Sequence, residues 1–246
     1  MRLQGKAAIV TGGGSGFGEG IVRKFVAEGA KVIVADRDAA AARRVAEATG
    51  SVPLTVDVAR ADDAKRMVDA AYEHFGALDV LVNNAGIGHL PQPLEGLPED
   101  EFDRLFAVNM KAIYLAAREA VPRMKAAGRG VILNMASTAG VSPRPRLAWY
   151  NASKGWVITA TRAMAVELAP FGIRVVALNP VAGETPLLAT FMGGDTPETR
   201  AKFLSTIPLG RFSRPDDLGN AACFLCSDEA SMITGVAMEV DGGRCI

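Results

Sequence analysis

Tyr150 and Lys154 stand four positions apart in the run Tyr-Asn-Ala-Ser-Lys, and Ser137 lies thirteen positions upstream of the tyrosine. On a helix, side chains four apart share a face, so the phenol and the ammonium can enter one site. A free phenol titrates near ~10 and is a weak base at neutral pH. A cation beside it favours the phenolate, and burial keeps that attraction from being screened, so Tyr150 is expected to titrate below its usual value. Such a pair moves protons. A serine hydroxyl at the same spot can hold an alcohol or carbonyl oxygen in line with the phenol. Because Tyr-x-x-x-Lys is a short pattern that chance also produces, its meaning depends on the elements that deliver it.

Those elements alternate between strand and helix along the whole chain. Residues 7–10 form a short apolar run before Thr11-Gly12-Gly13-Gly14-Ser15-Gly16-Phe17-Gly18, after which Ile21, Val22, Phe25 and Val26 mark a helix. Glycines at a strand-to-helix turn let backbone approach a pyrophosphate, and the helix N-terminus supplies N–H groups for its charge. Residues 31–36 read as a second strand ending in Asp36, 18 positions after Gly18. An acid there can bind the adenosine ribose hydroxyls and repel a 2′-phosphate, although an aspartate near Asp38 can equally cap a helix. Arg37 pulls the other way, since an arginine accommodates that phosphate; NAD is therefore expected over NADP, with dual use open.

Further strands are expected over 52–58, 78–83, 130–137, 173–179 and 236–240. Helices are expected over 61–75, 99–127, 149–169 and 215–227, with Pro215 in a first turn. Asn109 falls inside the long helical stretch, where a polar side chain reads by itself as a satisfied core amide. Residues 186–209, broken by Gly193, Gly194 and Pro197, suit a lid of short helices. With no repeat or second composition regime, one α/β domain over 1–246 is the economical reading, a Rossmann-type doubly wound parallel sheet with helices on both faces. The fifth strand then delivers Ser137 to the C-terminal sheet edge, where ligands bind in such sheets.

Composition removes several other classes. Hydrophobic residues make up 49% of the 246 and charged residues 22%, so a large core is available. Lys plus Arg and Asp plus Glu both total 27, which offers nothing to nucleic acid or an anionic membrane. No apolar run approaches the ~20 residues of a membrane span, and the start of the chain has no secretory pattern, so a cytoplasmic location is expected. Cys223-x-x-Cys226 lies in an apolar helical stretch, and the only histidines are His74 and His89. No metal site is expected.

The chain resembles the classical short-chain dehydrogenase/reductase family along essentially its whole length. The resemblance is carried by Thr11-Gly12-x-x-x-Gly16-x-Gly18, Asn83-Asn84-Ala85-Gly86, Ser137 and Tyr150-x-x-x-Lys154, with Asn109 at the family's fourth catalytic position. It implies hydride transfer between a nicotinamide cofactor and a secondary alcohol or ketone. Tyr150 would be the acid/base, Lys154 would lower its pKa and bind the nicotinamide ribose, Ser137 would orient substrate oxygen, and Asn109 would hold a water relay. Gly12, Ser15, Gly16, Phe17, Gly18, Asp36 and Arg37 would bind the nucleotide. Asp57 and Val58 would contact adenine, Asn83, Ala85, Gly86 and Pro180 the cofactor, and Thr185 the carboxamide. The family pattern has Pro-Gly where this chain has Pro180-Val181, and valine reaches left-handed backbone angles poorly. The path to Thr185 is the least secure cofactor contact.

Substrate candidates are His89, Leu90, Arg144, Arg146 and Trp149, together with the segment after Ser137 and the lid from Leu187 to Phe191. A guanidinium from Arg144 or Arg146 can take a carboxylate, although both arginines can equally face solvent or another subunit. The resemblance implies a homotetramer. Two alternatives stand beside this reading. A 3-oxoacyl-(acyl carrier protein) reductase would use NADPH and dock its carrier through arginines that here would be Gly128 and Phe171. A catalytically silent nucleotide-binding protein would ordinarily lack the tyrosine or the lysine.

Overall fold

Ile9, Ile33, Leu81, Ile132 and Val175 stand in register across five parallel strands and point to one face; Val10, Val34, Val82, Leu133 and Val176 point to the other. Strands buried on both faces lose the polar alternation of half-exposed ones, which is why these segments read as unbroken apolar runs. Each fully buried branched side chain contributes roughly 1.5–3 kcal/mol, so these two rows fix the register. The protein is described by a computed structural model covering residues 1–246.

The sheet has seven strands in the order β3-β2-β1-β4-β5-β6-β7, all parallel. They are β1 (Ala7–Thr11), β2 (Lys31–Asp36), β3 (Val52–Thr55), β4 (Val80–Asn83), β5 (Gly130–Met135), β6 (Ile173–Pro180) and β7 (Ala237–Val240). The helices are α1 (Gly16–Ala27), α2 (Ala39–Thr49), α3 (Ala61–Phe75), α4 (Glu99–Phe106), α5 (Ala112–Ala127), α6 (Ala148–Leu168), α7 (Leu188–Met192), α8 (Pro197–Leu204) and α9 (Pro215–Cys226). α1, α2 and α9 cover one face, and α3, α5 and α6 the other. This is the doubly wound α/β sheet that the alternation of elements implies. No helix is long and apolar enough to cross a membrane.

Strand order reverses between β1 and β4, which opens a crevice at their C-terminal ends. Thr11 and Asn84 close its floor. Thr11 Oγ1 donates to the Val82 carbonyl at 3.1 Å and accepts from Asn84 N at 3.0 Å; Asn84 Nδ2 donates to the Thr11 carbonyl at 2.8 Å.

The structure corrects three expected elements. The stretch 99–127 is not one helix: between α4 and α5, residues Ala107–Lys111 widen into a π-turn with Asn109 inside it. One extra residue in a turn barely disturbs apolar periodicity over a long stretch, so the pattern conceals it; π-turns frequently mark functional sites. β3 and β5 also end two or more residues early, leaving Asp57 and Ser137 on loops beyond the sheet.

Candidate active site

Ser137 follows β5 and caps the short turn Thr138–Gly140, its Oγ accepting from Ala139 N at 3.1 Å. Tyr150 and Lys154 occupy successive turns of α6 and are both buried. All three line one cavity of about 360 Å³ at the C-terminal edge of the sheet. Lys154 Nζ donates to the Met135 carbonyl at 2.7 Å and lies 5.9 Å from the centroid of the Tyr150 ring. Phe191 from α7 covers the tyrosine, ring centroids 4.7 Å apart.

Burial dominates the electrostatics. It pushes the Tyr150 phenol up to about 12, with the Ser137 hydroxyl and then Arg144 pulling the other way. It brings Lys154 down to about 8, which leaves that group mostly cationic at neutral pH. The expected depression of the tyrosine is therefore corrected. In this dry pocket, removing water from the phenolate outweighs attraction by a cation that is itself desolvated and engaged by Met135.

The nucleotide end of the same cavity is built from backbone. Gly12, Ser15, Gly16, Phe17 and Gly18 line it, as do Asp36, Arg37, Asp57, Val58, Ala85, Gly86, Pro180 and Thr185. A Cβ on Gly18 would collide with the Gly12 carbonyl, so the turn closes only on glycine. Gly16 sits at φ +53°, and a side chain there would press on Thr185. Asp36 does not cap α2. That role falls to Asp38, which accepts from Ala40 N and Ala41 N, while Asp36 Oδ2 accepts from Gly14 N at 2.9 Å and Oδ1 from Asp38 N at 3.0 Å. α1, by contrast, begins at Ser15 with no side-chain cap. Its first N–H groups have no partner within the helix and border the cavity, as an anion-binding turn requires. The glycine cradle, the uncapped helix and an acid beside them make a donor set that fits a dinucleotide.

The route to Thr185 is resolved. Val181 needs no left-handed angle; it is buried and packs with Leu188, Met192, Ile207 and Phe212. The chain turns at Gly183, whose carbonyl accepts from Thr185 N at 2.7 Å.

Several expected site residues lie elsewhere. Asn83 does not line this cavity: its Nδ2 donates to Asn134 Oδ1 at 2.9 Å, and Asn134 passes the chain of bonds to Thr161, so it is a core amide. Asn109 does not line it either. Its Oδ1 accepts from Ile87 N at 2.9 Å, and its Nδ2 donates to the Ile87 carbonyl at 3.0 Å and to Ser153 Oγ at 3.1 Å. The π-turn thus aims Asn109 as a strut between the loop after β4 and α6. Its Oδ1 also borders Gly86, as does Lys154 Nζ. His89 is buried with Nδ1 against the Leu90 carbonyl and is absent from the cavity wall. Arg146, at φ +67°, is exposed and faces a shallow outer groove. Trp149 points outward, its indole N–H donating to the Leu94 carbonyl at 2.9 Å and its ring edge-on to Phe102. Of the substrate candidates, Arg144 lines the cavity, together with Thr138 and Ala139 after Ser137 and with Leu187 and Phe191, while Leu90 is exposed outside it. Leu147 and Phe203 also line it; they fall in the stretch before Tyr150 and in the lid, but nothing local singles out either, because tertiary packing brings them there.

Comparisons with known proteins agree with this geometry. A family model described as enoyl-(acyl carrier protein) reductase matches residues 12–244. The chain is 48% identical to 4-formylbenzenesulfonate dehydrogenase of Comamonas testosteroni over 100% of both chains. It is 39% identical to galactitol 2-dehydrogenase of Agrobacterium fabrum, covering 99% of each. A solved structure of 3-ketoacyl-(acyl-carrier-protein) reductase from Brucella melitensis, complexed with NADH, superposes with a TM-score of 0.95 at 54% identity, covering 99% of this chain and 100% of the other. The chain belongs to the classical short-chain dehydrogenase/reductase family, and it is an oxidoreductase of the nicotinamide-dependent kind.

Proposed function

We propose that the protein is an NAD-dependent alcohol dehydrogenase or ketoreductase in which Tyr150 gives or takes the hydroxyl proton of a secondary alcohol or ketone. The observation that carries this reading is one continuous cavity, with the glycine turn and Asp36 at one end and Ser137, Tyr150 and Lys154 at the other. NAD, when bound, supplies the acceptor or donor of hydride at its nicotinamide ring. Ser137 holds the substrate oxygen beside the phenol. With its pKa raised to about 12, Tyr150 keeps its proton at neutral pH and can donate it as a carbonyl oxygen gathers charge. In the oxidative direction the phenol must first release that proton, and the Lys154 ammonium stabilises the phenolate left behind. Lys154 would also hold the nicotinamide ribose, Thr185 the carboxamide, and Asp57 and Val58 the adenine.

Asp36 supports NAD over NADP: its carboxylate, at the end of β2 in the nucleotide end of the cavity, would repel a 2′-phosphate. Of the nearby cations, Arg37 stands beside it, while Arg44 is engaged by Glu19 and the Gly14 carbonyl. Asn109 acts as a positioning residue for Ile87 and α6. Exposed Phe102, Phe106, Tyr114, Trp156 and Val166 on α4 to α6 support an apolar subunit interface, consistent with a homotetramer.

A second reading, reduction of a 3-oxoacyl thioester on a carrier protein, draws on the solved reductase at 54% identity. The cations near its expected docking face are already engaged. Lys125 Nζ lies 4.1 Å from the Phe171 ring centroid, Arg129 pairs with Asp79, and Arg123 pairs with Asp69. A panel of secondary alcohols, ketones and 3-oxoacyl thioesters, run with NAD and NADP in parallel, separates the two. Turnover of free alcohols with NAD is the expected result; turnover confined to thioesters with NADPH would reverse the order.

A further inference from the structure

Arg144 lies half-buried in the wall it shares with Tyr150, yet its guanidinium makes no ion pair and no hydrogen bond within the protein. Its one contact of note is stacking, 4.2 Å from the centroid of the Phe203 ring on α8. Burial lowers its pKa, and the charge of Arg244 in the C-terminal tail lowers it further, with Cys245 and Tyr150 acting the other way. Arg244 is equally unsatisfied: its Nε is buried and has no partner. The tail is held there by Asp241, whose carboxylate is spent on the N–H groups of Gly243 and Cys245 at 2.9 and 2.8 Å.

The fold answers a half-buried guanidinium elsewhere. Arg174 donates to the carbonyls of Leu225, Ile233 and Ser227 at 2.8, 3.1 and 3.0 Å. Leaving Arg144 half-buried without an acceptor, in the field of a second cation, is unfavourable on both counts. A third charge that visits the cavity removes the conflict.

We propose that Arg144 is the receptor for an oxyanion, a carboxylate or sulfonate, on the part of the substrate remote from the reacting oxygen, with the charge of Arg244 reinforcing it from outside the cavity wall. The planar fork of the Arg144 guanidinium suits a bidentate oxyanion better than a single point charge. Phe191, Phe203 and Leu147 line the same cavity as Arg144 and Tyr150, so the spacer between anion and reacting carbon is apolar, of aryl or branched alkyl type. This substrate class rests on the redox reading above.

Calorimetric titration of the protein with NAD bound, using para-acetylbenzoate and its neutral methyl ester, tests the receptor without requiring turnover. Wild type should bind the carboxylate at least about 10-fold more tightly than the ester, the scale of one charge-assisted hydrogen bond. Arg144→Gln should abolish that preference and leave ester affinity within about twofold, and Arg244→Gln should reduce it by a smaller factor. The wild-type comparison needs no variant, so a poorly folded Arg144→Gln does not blunt the test. Equal affinity of wild type for acid and ester, or a preference surviving in both variants, overturns the proposal. Oxidation of the corresponding 1-hydroxyethyl compounds separates the two readings. Arg144-dependent binding with no hydride transfer would sink the redox reading and keep the receptor; turnover of the ester with no preference for the acid would do the reverse.

Discussion

Asp36 and Arg144 line the same cavity, and the chain treats the two charges differently. Asp36 is fixed by two backbone N–H groups at 2.9 and 3.0 Å, whereas Arg144 has a phenyl ring and another arginine. The nucleotide end is made of strand ends and a glycine turn, tied together by backbone bonds and by Thr11 and Asn84. The other end is made of a loop, the start of α6 and two short helices. A cofactor of constant shape can be met by a rigid backbone surface; a particular substrate is met by side chains brought from distant parts of the chain. Tyr150, Ser137 and Lys154 stand where the two ends join.

The largest effect is expected at that junction. Tyr150→Phe removes the proton donor but keeps the ring against Phe191, so turnover should fall by about 10³-fold, within the range of general acid–base catalysis. Cofactor affinity, read by quenching or calorimetry, should stay close to wild type; parallel loss of both would mean that the two ends are not separable. Next comes Asp36→Ala, which should cut kcat/KM with NAD by about 10- to 100-fold, the scale of a hydrogen bond to a charged group, and raise that with NADP. An unchanged cofactor ratio would remove Asp36 from the account.

Asn109→Ala sharpens the comparison differently, because it leaves Ile87 N and O without their partners. A stability loss of about 1–3 kcal/mol is expected, seen as a lower Tm. Activity should fall through misplacement of the loop and α6, without a change in cofactor preference. Should Asn109→Ala keep full stability and lose only turnover, a strut is the wrong description.

The smallest effect concerns Lys154. Its folded pKa, about 8, lies below the usual value of 10.5, so the folded state disfavours the charged form. That penalty is fully present below about pH 8 and vanishes as pH rises toward 10.5, where the unfolded chain also loses the proton. Lys154→Met should therefore raise Tm modestly at neutral pH, with the gain over wild type fading across that window. The lost bond to the Met135 carbonyl offsets part of it. A gain independent of pH would contradict the burial of a charged lysine.

The same division decides what the sequence makes legible. Fully buried parallel strands such as Ile9-Val10 and Leu81-Val82 announce themselves as apolar runs, and the glycine turn and Tyr150-x-x-x-Lys154 are local in the chain. The substrate end is not local. Trp149 and Arg146 lie within a few residues of Tyr150, yet the start of α6 and the positive φ at Arg146 turn both outward, and only the folded chain shows it. Phe203 reaches Arg144 from about 60 residues away. The π-turn at Asn109 stays hidden because its single added residue leaves helical spacing nearly intact. The tyrosine's raised pKa likewise depends on how dry the folded pocket is, which spacing cannot report.

The central claim is hydride transfer at Tyr150 with NAD, and a labelled substrate tests it most directly. The protein is given NAD and a secondary alcohol bearing deuterium on the carbinol carbon, and the cofactor is analysed by mass spectrometry. Wild type should deliver the deuterium to the reduced nicotinamide, and Tyr150→Phe should deliver almost none while binding NAD normally. Label retained in the alcohol across the substrate panel with NAD bound, or equal transfer by Tyr150→Phe, would contradict the account.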